Sequence, residues 1–362
     1  MHIAIDARII SSTSGRYVER LLTHLQDIDH TNTYSVIIRS KDLNYWKPTN
    51  KNFTLRVADY DDFSFAEQIG FKKFLDTLKA DLVHFCMPQQ PILYRGKKVT
   101  TFHDLTLLKT YNSDKNWFVF HAKQFVGRFV FKSVAKQNNH IIATSKFTKK
   151  ELLDFTGVDD KKISVTYEAS DITDVTPKAL KIPFKQYILY VGNESDYKNI
   201  KRLGDAHQKL LKTYPDLGLV LAGKKNAAVL ANEAYFNKNK YTNILFTDFV
   251  TDAELSWLYT HATAYVFASL MEGFGLPALE AMGYGAPVVS SNATCLPEVY
   301  GKAAHYFDPT DTNDMARAIT EVLGNEKLRQ ELSKNGYEQI KKYSWKRMAE
   351  QTLKIYKDVL NS

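Results

Sequence analysis

The feature that most constrains the fold is a repeated alternation of short apolar runs with helical patterns. One such series fills the first half of the chain, and a second series fills the other half. Short runs rich in Val, Ile, Leu and Phe are typical of strands that are buried on both faces. The segments between them space their apolar residues by three and four, as amphipathic helices do. Strands that alternate with helices in this way predict a parallel sheet with helices on both faces.

The alternation stops over residues 171–185, where Asp171, Asp174, Pro177 and Pro183 replace the apolar periodicity, and then starts again. This composition is typical of a linker. We therefore predict two doubly wound Rossmann-like α/β domains, over residues 1–175 and 182–344. A final helix over residues 345–361 is expected to return to the first domain. Ligands of such sheets bind beyond the carboxyl ends of the strands, so the expected site is a cleft between the two domains.

Composition excludes several classes of protein. With 362 residues, 44% of them hydrophobic and 24% charged, the chain is not a disordered polymer, a collagen-like rod or a small disulfide scaffold. Its two cysteines favour a reducing compartment. Asp6 and Arg8 interrupt the place of a signal peptide, and the longest uncharged windows, 255–271 and 281–297, are broken by polar residues, Gly or Pro. We expect a cytoplasmic protein.

The net charge of +8 is compatible with nucleic acid, an anionic membrane face, a phosphate-bearing ligand or a soluble surface. The best local candidate is the predicted helix over residues 117–137, in which Phe residues alternate with Lys and Arg. Such a helix suits either peripheral binding to the inner face of a membrane or packing in the core with a basic face in solvent. No nucleic-acid motif accompanies it, so nucleic acid is not expected as a partner.

The most informative loop follows a predicted strand that ends at Ser269. It reads Glu272-Gly-Phe-Gly-Leu-Pro, and a second carboxylate, Glu280, lies eight residues after the first. Pro277 suits the first turn of a helix, whose N-terminal N–H groups and dipole favour an anion. Glycines at 273 and 275 allow a ligand to approach the backbone, which suits a pyrophosphate. Glu280 could instead be a simple helix-start charge.

This loop resembles the Glu-x7-Glu motif of the retaining nucleotide-sugar glycosyltransferases of family 4, which have the two-domain GT-B fold. Weaker similarities run in order along almost the whole chain. They are Ile5-Asp6-Ala7-Arg8 with Ser14-Gly15-Arg16-Tyr17, Thr101-Phe102-His103-Asp104-Leu105, Ala143-Thr144-Ser145-Lys146-Phe147, Tyr190-Val191-Gly192 through Lys198-Asn199, Leu296-Pro297-Glu298-Val299 and Phe307-Asp308-Pro309.

The resemblance implies roles for individual residues. His103 and Glu272 would contact the transferred sugar near the reacting centre. The implied donor-binding residues are Gly15, Gly192, Lys198, Phe249, Val250, Gly273, Phe274, Gly275, Leu276 and Glu280. Lys198 would neutralise the leaving diphosphate, Glu280 would contact the ribose, and Phe249 with Val250 would hold the nucleotide base. Asn193 stands where many members have an arginine.

Ordinary structural roles remain open for several of these residues. His103 could pair with Asp104, and Lys198 could be a surface lysine. Phe249 and Val250 could be buried hydrophobic residues. Gly15 could belong to a helix-start loop that Ser14 caps.

The resemblance further implies transfer of a hexose with retention, by a front-face substitution in which the leaving phosphate oxygen takes the acceptor proton. GDP-mannose is the favoured donor and a UDP-sugar the next, because Glu272-Gly-Phe-Gly-Leu-Pro and Leu296-Pro-Glu-Val resemble mannosyltransferase-like members. The acceptor would be a hydroxyl of a sugar or lipid-linked sugar in polysaccharide or glycolipid synthesis. No metal or other cofactor is expected. The alternatives are a non-catalytic nucleotide-sugar-binding protein and a nucleotide-sugar epimerase of the same fold.

Overall fold

The computed structural model describes residues 1–62, 64–109 and 117–362, with all side chains in these ranges except those of residues 109 and 117–125. The chain divides into two compact units. Unit 1 comprises Met1–Glu168 and Ser344–Ser362, and unit 2 comprises Ala169–Tyr343. The chain therefore leaves unit 1 after Glu168, earlier than the predicted domain end at residue 175.

Unit 1 is built on a parallel sheet. Its described strands are β1 (His2–Asp6), β2 (Thr33–Ile38), β3 (Phe53–Val57), β4 (Leu82–Phe85), β5 (Lys98–Phe102), β6 (His140–Ala143) and β7 (Ile163–Val165). They lie in the order β3-β2-β1-β4-β5-β6-β7. The order reverses at β1, which pairs with β2 on one side and β4 on the other. The loops diverge there at the carboxyl ends of the strands, which makes this the preferred place for a ligand.

Helices cover this sheet. Those that follow its strands are α1 (Gly15–Ile28), α2 (Lys72–Leu78), α3 (Thr106–Lys109), α4 (Trp117–Gln137) and α5 (Lys146–Thr156). In α1 the buried residues Tyr17, Val18, Leu21, Leu22 and Leu25 form one face, as the helical period requires. Among the described residues no helix is long and apolar enough to span a bilayer.

Unit 2 repeats the architecture. Its strands are β8 (Tyr187–Val191), β9 (Gly218–Ala222), β10 (Ile244–Phe246), β11 (Ala264–Phe267), β12 (Val288–Ser291) and β13 (Ala304–Phe307). The order is β10-β9-β8-β11-β12-β13, with parallel pairing throughout. The reversal lies between β8 and β11. The helices are α6 (Ile200–Leu210), α7 (Ala227–Lys238), α8 (Asp252–His261), α9 (Leu276–Gly283), α10 (Leu296–Tyr300), α11 (Thr312–Gly324) and α12 (Glu326–Ile340).

The last helix, α13 (Trp345–Asn361), begins after the N-cap Ser344 and packs in unit 1 against α1. It contributes side chains to the interior of that unit. Tyr356 is fully buried, and its hydroxyl lies 2.5 Å from Nδ1 of His84 in β4. The Lys97 ammonium group donates to the Val359 and Leu360 carbonyls near the end of the helix.

Residues 169–186 form neither helix nor strand, but they are anchored on unit 2. The Thr173 amide donates to the Tyr284 hydroxyl at 3.1 Å. Lys178 donates its amide to the Ala253 carbonyl and its ammonium group to Glu254, each at 2.9 Å. The segment with linker composition is therefore held along the surface of unit 2 at these points.

Two strands, β3 and β13, were not predicted, and both lie at sheet edges. Four of the five residues of β3 are partly or fully exposed, so its apolar pattern is weak. The sequence also predicts one helix over residues 65–78, and the structure differs there, because Glu67–Phe71 form a π-helical turn before α2. The π turn accompanies burial of Glu67 in an ion pair with Arg8, at 2.9 Å.

Candidate active site

In unit 2, two charged residues meet where the strand order reverses. Lys198 ends the loop after β8, and Glu272 follows β11. The Lys198 ammonium nitrogen lies 2.6 Å from Oε1 of Glu272, and only 10% and 12% of the two side chains are exposed. Because each charge is largely removed from water, each depends on the other for stabilisation. The structure thus brings together two residues that the sequence predicted for sugar and diphosphate binding.

Aromatic rings and backbone bonds fix Lys198 in this position. Its ammonium nitrogen lies 5.1 Å from the centre of the Tyr197 ring and 5.4 Å from that of Phe267, within range of cation–π attraction. The Leu270 amide donates to the Tyr197 carbonyl at 2.8 Å and ties the loops after β8 and β11 together. Lys198 is therefore a positioned cation and not a surface lysine.

Glu272 is held by residues that the sequence did not single out. Its amide donates to the Thr294 hydroxyl at 3.2 Å, and its carbonyl accepts from the Cys295 thiol at 3.3 Å. Thr294 adopts a positive φ of 57°, which is uncommon for a β-branched residue. No sequence signal distinguishes this threonine, because its role depends on backbone geometry beyond β12.

The turn after Glu272 leads directly into α9. Gly275 is the N-cap residue with φ 91°, and Leu276 is the first residue of the helix. A side chain at Gly275 would meet the Tyr300 hydroxyl, which donates to the Gly275 carbonyl at 2.6 Å. Glycine is therefore required at position 275 by its positive φ and by the nearby Tyr300 hydroxyl. The side of Gly275 that faces Tyr300 has no room for a ligand. Gly275 has no side chain with which to cap this N-terminus, and the dipole of α9 favours an anion there.

Other members of the predicted donor set lie around this centre. Glu280 is on α9, 9% exposed, with Oε2 3.5 Å from the Tyr259 hydroxyl. Phe274 packs edge-on against Tyr343, with ring centroids 5.4 Å apart. Gly273 lies between Glu272 and Phe274 in the turn.

Asn193, which stands where an arginine was expected from the family resemblance, has a structural role in the loop after β8. Gly192 has φ 142°, and its amide donates to the Ala222 carbonyl at 2.9 Å. The Asn193 side chain accepts from the Ser195 amide at 3.3 Å, so it shapes the turn. Glu194 follows, 2% exposed, and burial raises its pKa to about 7, although Asn232 donates to the carboxylate at 2.9 Å.

Phe249 and Val250 follow the carboxyl end of β10. This strand lies two strands from β8 in the same parallel sheet, so the loops after both strands leave from the same end of the sheet. The side chain of Phe249 is exposed, with 73% of the residue accessible. The alternative that Phe249 is a buried hydrophobic residue is therefore wrong, whereas Val250 is half-buried. Asp248 shapes the turn before them, because it has φ 61° and accepts from the Lys225 amide.

In unit 1, His103 follows β5 and its ring is bonded at both nitrogens. Nδ1 lies 3.1 Å from Oε1 of Glu168, and Nε2 lies 3.0 Å from the Cys86 carbonyl oxygen. The His103 carbonyl accepts from the Thr144 and Thr148 hydroxyls. Burial lowers the pKa of His103, but the bonds to Glu168 and Cys86 outweigh it and raise the pKa above 6.5. The partner of the ring is Glu168, and not Asp104 as the structural alternative held.

The loop before α1 gives Gly15 a structural role, while its predicted donor contact stays a prediction. A Cβ at Gly15 would lie 1.9 Å from the Ile10 carbonyl oxygen, so the chain itself fills the space on that side of the residue. The alternative role of Ser14 is wrong, because its side chain makes no capping hydrogen bond. Glycine is required here because the loop folds back on the start of α1.

A metal site has no obvious ligands in the described part of the chain, where no three His, Cys, Asp or Glu side chains cluster in a suitable way. The cavities there include one of about 360 Å³ beside the loop after β8, lined among others by Glu194, Arg202, Asp205 and Asn232. It borders the Lys198 loop.

Two family models match the chain in succession. Residues 14–173 match the model described as Glycosyltransferase Family 4, and residues 171–339 match the one described as Glycosyl transferases group 1. The O-antigen chain mannosyltransferase B of Escherichia coli is 30% identical over 276 residues, which cover 72% of this chain and 70% of that protein.

The serotype-specific mannosyltransferase WbdA of Escherichia coli is 29% identical over 288 residues, 74% of this chain. The chain spans about a third of the length of WbdA. Among solved structures, the sucrose-phosphate synthase of Thermosynechococcus elongatus superposes with a TM-score of 0.80 at 17% identity, covering 100% of this chain and 99% of that one. At this identity the likeness concerns the fold, which is GT-B.

Proposed function

The chain belongs to the GT-B glycosyltransferases of the family 4 and group 1 type, and from this premise we propose that it transfers mannose from GDP-mannose to a sugar hydroxyl, with retention of configuration. The observation that carries the proposal is the buried Lys198–Glu272 pair at the reversal of the unit 2 sheet, beside the N-terminus of α9. A cation, a carboxylate and a helix N-terminus together offer the groups that a sugar diphosphate needs.

In the proposed complex the diphosphate lies against the N-terminus of α9, and the Lys198 ammonium group turns from Glu272 towards it. Glu272 is then free to accept hydrogen bonds from hydroxyls of the transferred sugar. Glu280 would contact the ribose, and Phe249 and Val250 would lie beside the nucleotide base. Lys198 thereby neutralises charge that grows on the leaving diphosphate, which is where a fixed cation lowers the barrier most.

The proposed step is a front-face substitution. The bond between the anomeric carbon and the β-phosphate oxygen breaks, and a bond to the acceptor oxygen forms on the same face. The acceptor proton passes to the departing phosphate oxygen, so the GDP product carries it away. This route needs no protein nucleophile and no metal, and catalysis comes from positioning and charge stabilisation.

The names of the relatives support mannose and a polysaccharide acceptor, because both sequence relatives described above are mannosyltransferases and one acts on O-antigen chains. A UDP-sugar is the second candidate donor. A thermal-shift series with GDP, UDP and ADP identifies the nucleotide, since a ligand of the folded state raises the melting temperature. We expect the largest shift with GDP.

The decisive assay is transfer of labelled mannose from GDP-mannose to an oligosaccharide acceptor, with the anomer of the product read by NMR. An α-linked product from the α-configured donor supports retention. Tight GDP binding without transfer or hydrolysis, in the presence of membrane extract, would instead support a non-catalytic binding protein. Epimerised nucleotide sugar would support the epimerase.

We also propose that unit 1 binds an anionic membrane surface through α4. In its described second half, Val126 and Phe129 are exposed apolar residues, and Arg128, Lys132 and Lys136 are exposed basic residues. Phe131 and Val134 of the same helix are buried in the core. The predicted contributions of residues 110–116 and of the side chains of 117–125 lie outside the described part of the chain.

A further inference from the structure

Asn199 lies directly after Lys198 and does not use its side chain as its position predicts. It is the N-cap residue of α6, where an asparagine usually accepts a hydrogen bond from the first turn of the helix. Its side chain makes no such bond. Its backbone has φ 67°, a left-handed conformation that asparagine adopts more readily than most residues. Because Asn199 is only 5% exposed, its amide group needs partners elsewhere in the protein.

Those partners lie after two other strands of the same sheet. The Nδ2 group of Asn199 donates to the Ala268 carbonyl at 3.1 Å and to the Pro309 carbonyl at 2.8 Å. Ala268 directly follows β11, and Pro309 lies in the loop after β13. A side-chain amide has two hydrogens to donate, so these bonds use both of them. One side chain thus joins the loop after β8 to the carboxyl ends of two other strands.

The chemistry of the neighbouring groups fixes the orientation of this amide. Both groups beside Nδ2 are carbonyls, which can only accept a hydrogen bond. The group beside Oδ1 is the guanidinium of Arg202, which can only donate, at 3.0 Å. A rotated amide would turn oxygen towards both carbonyls and its own N–H groups towards the guanidinium. The side chain of Asn199 is therefore held in one orientation.

These bonds anchor the backbone beside both members of the Lys198–Glu272 pair. Asn199 adjoins Lys198, and Ala268 lies shortly before Glu272 in the segment after β11. In the proposed complex the Lys198 ammonium group turns from Glu272 towards the diphosphate, while the backbone of the lysine stays in place. An anchored backbone keeps the charge close to the leaving group. A displacement of about 1 Å can lower the rate of an enzymatic reaction about 100-fold.

We propose that Asn199 is a positioning residue for transfer, because it ties the loop that carries Lys198 to the ends of β11 and β13. Lys198 can then leave Glu272 and meet the diphosphate without a shift of its backbone. The inference rests on the proposed function. Asn199 itself is expected to contact neither donor nor acceptor, because both hydrogens and the oxygen of its amide are bonded within unit 2. It acts on transfer through Lys198.

The first experiment is a double-mutant cycle on kcat for transfer from GDP-mannose to an acceptor. Asn199→Gly tolerates the positive φ but removes the three side-chain hydrogen bonds, so kcat should fall at least about tenfold. In a Lys198→Met background the same substitution should change kcat less than about twofold. Residues that act as one unit have effects that do not add, whereas a general structural effect would add to that of Lys198→Met.

Asn243→Gly is the matched control. Asn243 also has a positive φ, of 58°, and its side chain also donates to a backbone carbonyl, that of Pro215. It lies directly before β10, so it is at the opposite end of the parallel sheet from Lys198. The kcat of Asn243→Gly should remain close to that of the wild type.

The second experiment needs no substrate. The Lys198 ammonium group is largely buried and bonded to Glu272, so its hydrogens should exchange slowly enough to give a heteronuclear NMR signal at low temperature. Comparison with Lys198→Met assigns the signal. It should be lost in Asn199→Gly and kept in Asn243→Gly. Arg202→Met, which removes the donor to Oδ1 from an exposed position on α6, should weaken the signal.

These outcomes separate the inference from the proposed function. Equal losses of kcat with and without Lys198 would overturn the inference, as would a wild-type kcat or an unchanged ammonium signal in Asn199→Gly. Absence of transfer with every donor, with the signal still lost in Asn199→Gly, would overturn the proposed function but support the positioning of Lys198. If the melting temperature shows that Asn199→Gly is unfolded, Arg202→Met decides by the same cycle and the same signal.

Discussion

Lys198 and Glu272 act as each other's counterion in a largely buried place, and this shapes how the site responds to substitution. Removing one charge leaves the other without compensation, at a cost on the order of 3 kcal/mol. Glu272→Gln removes the same charge but keeps the shape of the side chain, so it does not add the cost of a cavity, as truncation to alanine would. In the proposed complex, the diphosphate of the donor therefore replaces Glu272 as the partner of Lys198.

Glu272→Gln should lower the rate of transfer by at least about 100-fold, because the amide accepts sugar hydrogen bonds more weakly near the reacting centre. The protein should remain folded. Steady-state kinetics with GDP-mannose check the prediction. Glu233→Gln is the matched control, since Glu233 forms a partly exposed pair with Lys225 in the same unit. An activity of Glu272→Gln close to that of the control would exclude a role for the carboxylate.

Glu194 makes the stability of the protein depend on pH. Burial raises the pKa of this carboxyl from 4.5 to about 7, so the folded protein holds a proton that the unfolded chain releases. Stability from this group is therefore complete below pH 4.5, falls as the pH rises to about 7 and is constant above. Glu194→Gln should remove this slope and stabilise the protein at pH 8 by up to about 3 kcal/mol.

Melting temperatures of the wild type and Glu194→Gln at pH 5 and pH 8 check this prediction. The two proteins should differ little at pH 5 and most at pH 8. Glu298→Gln, a change of the same kind on α10, should leave the difference between the two pH values as in the wild type. If Glu194→Gln destabilised the protein equally at both pH values, burial of an ionised carboxylate would not be the cause.

At the residue scale, sequence reasoning reached those residues that belong to a contiguous motif. Glu272 and Gly275 stand in one loop whose composition already indicates a helix N-terminus, and Glu280 lies on the helix that follows. Glu168 and Thr294 gave no signal. Each owes its place to a bond with a residue far along the chain, 65 residues away for His103 and Glu168. Such long-range contacts leave no periodic or local trace in a single sequence.

At the scale of elements, the buried strands were the easiest to predict. The sequence predicts strands over residues 98–102 and 218–222, which are the bounds of β5 and β9. Both strands are buried at every position, and apart from Lys98 at the start of β5 they consist of apolar or β-branched residues and a glycine. β3 was missed because its solvent-exposed edge admits Thr54 and Arg56. The predicted helix start at Pro277 was close, since Leu276 and Pro277 form the first turn of α9.

The proposal that α4 binds a membrane concerns the face of one helix. Replacing Arg128, Lys132 and Lys136 with Gln should weaken sedimentation with vesicles of 30% anionic lipid at least about tenfold, since each basic residue near such a surface contributes about 1 kcal/mol. Binding should also weaken as salt increases.

A matched control replaces Lys327 and Lys334 of α12 and its C-cap residue Lys341 with Gln, so that net charge changes equally. This variant should sediment nearly as the wild type does. Equal weakening by both variants would attribute binding to overall charge and not to α4.

At the scale of the whole molecule, the candidate donor residues Lys198, Glu272 and Glu280 all belong to unit 2. GDP should therefore slow amide hydrogen exchange most in the loop after β8 and around α9. At a concentration of 100 Kd it should stabilise the binding-competent fold by about 2.7 kcal/mol. Exchange measured by mass spectrometry with and without GDP checks this, with ADP as the control nucleotide. Protection confined to unit 1 would contradict this placement.

Unit 1 is assembled from two stretches of chain, with all of unit 2 between them, and this has a consequence for biosynthesis. The ribosome completes unit 2 before it makes α13. Until then, Tyr17 and His84 are without their neighbours Thr352 and Tyr356 of α13. In the finished protein, Thr352 and Tyr356 are completely buried. The nascent segment Met1–Glu168 is therefore incomplete, with part of its apolar interior exposed, until unit 2 and α13 have been synthesised. Chaperone engagement during translation should concentrate on the earliest residues, and a nonsense mutation near codon 344 should damage the amino-terminal half of the protein.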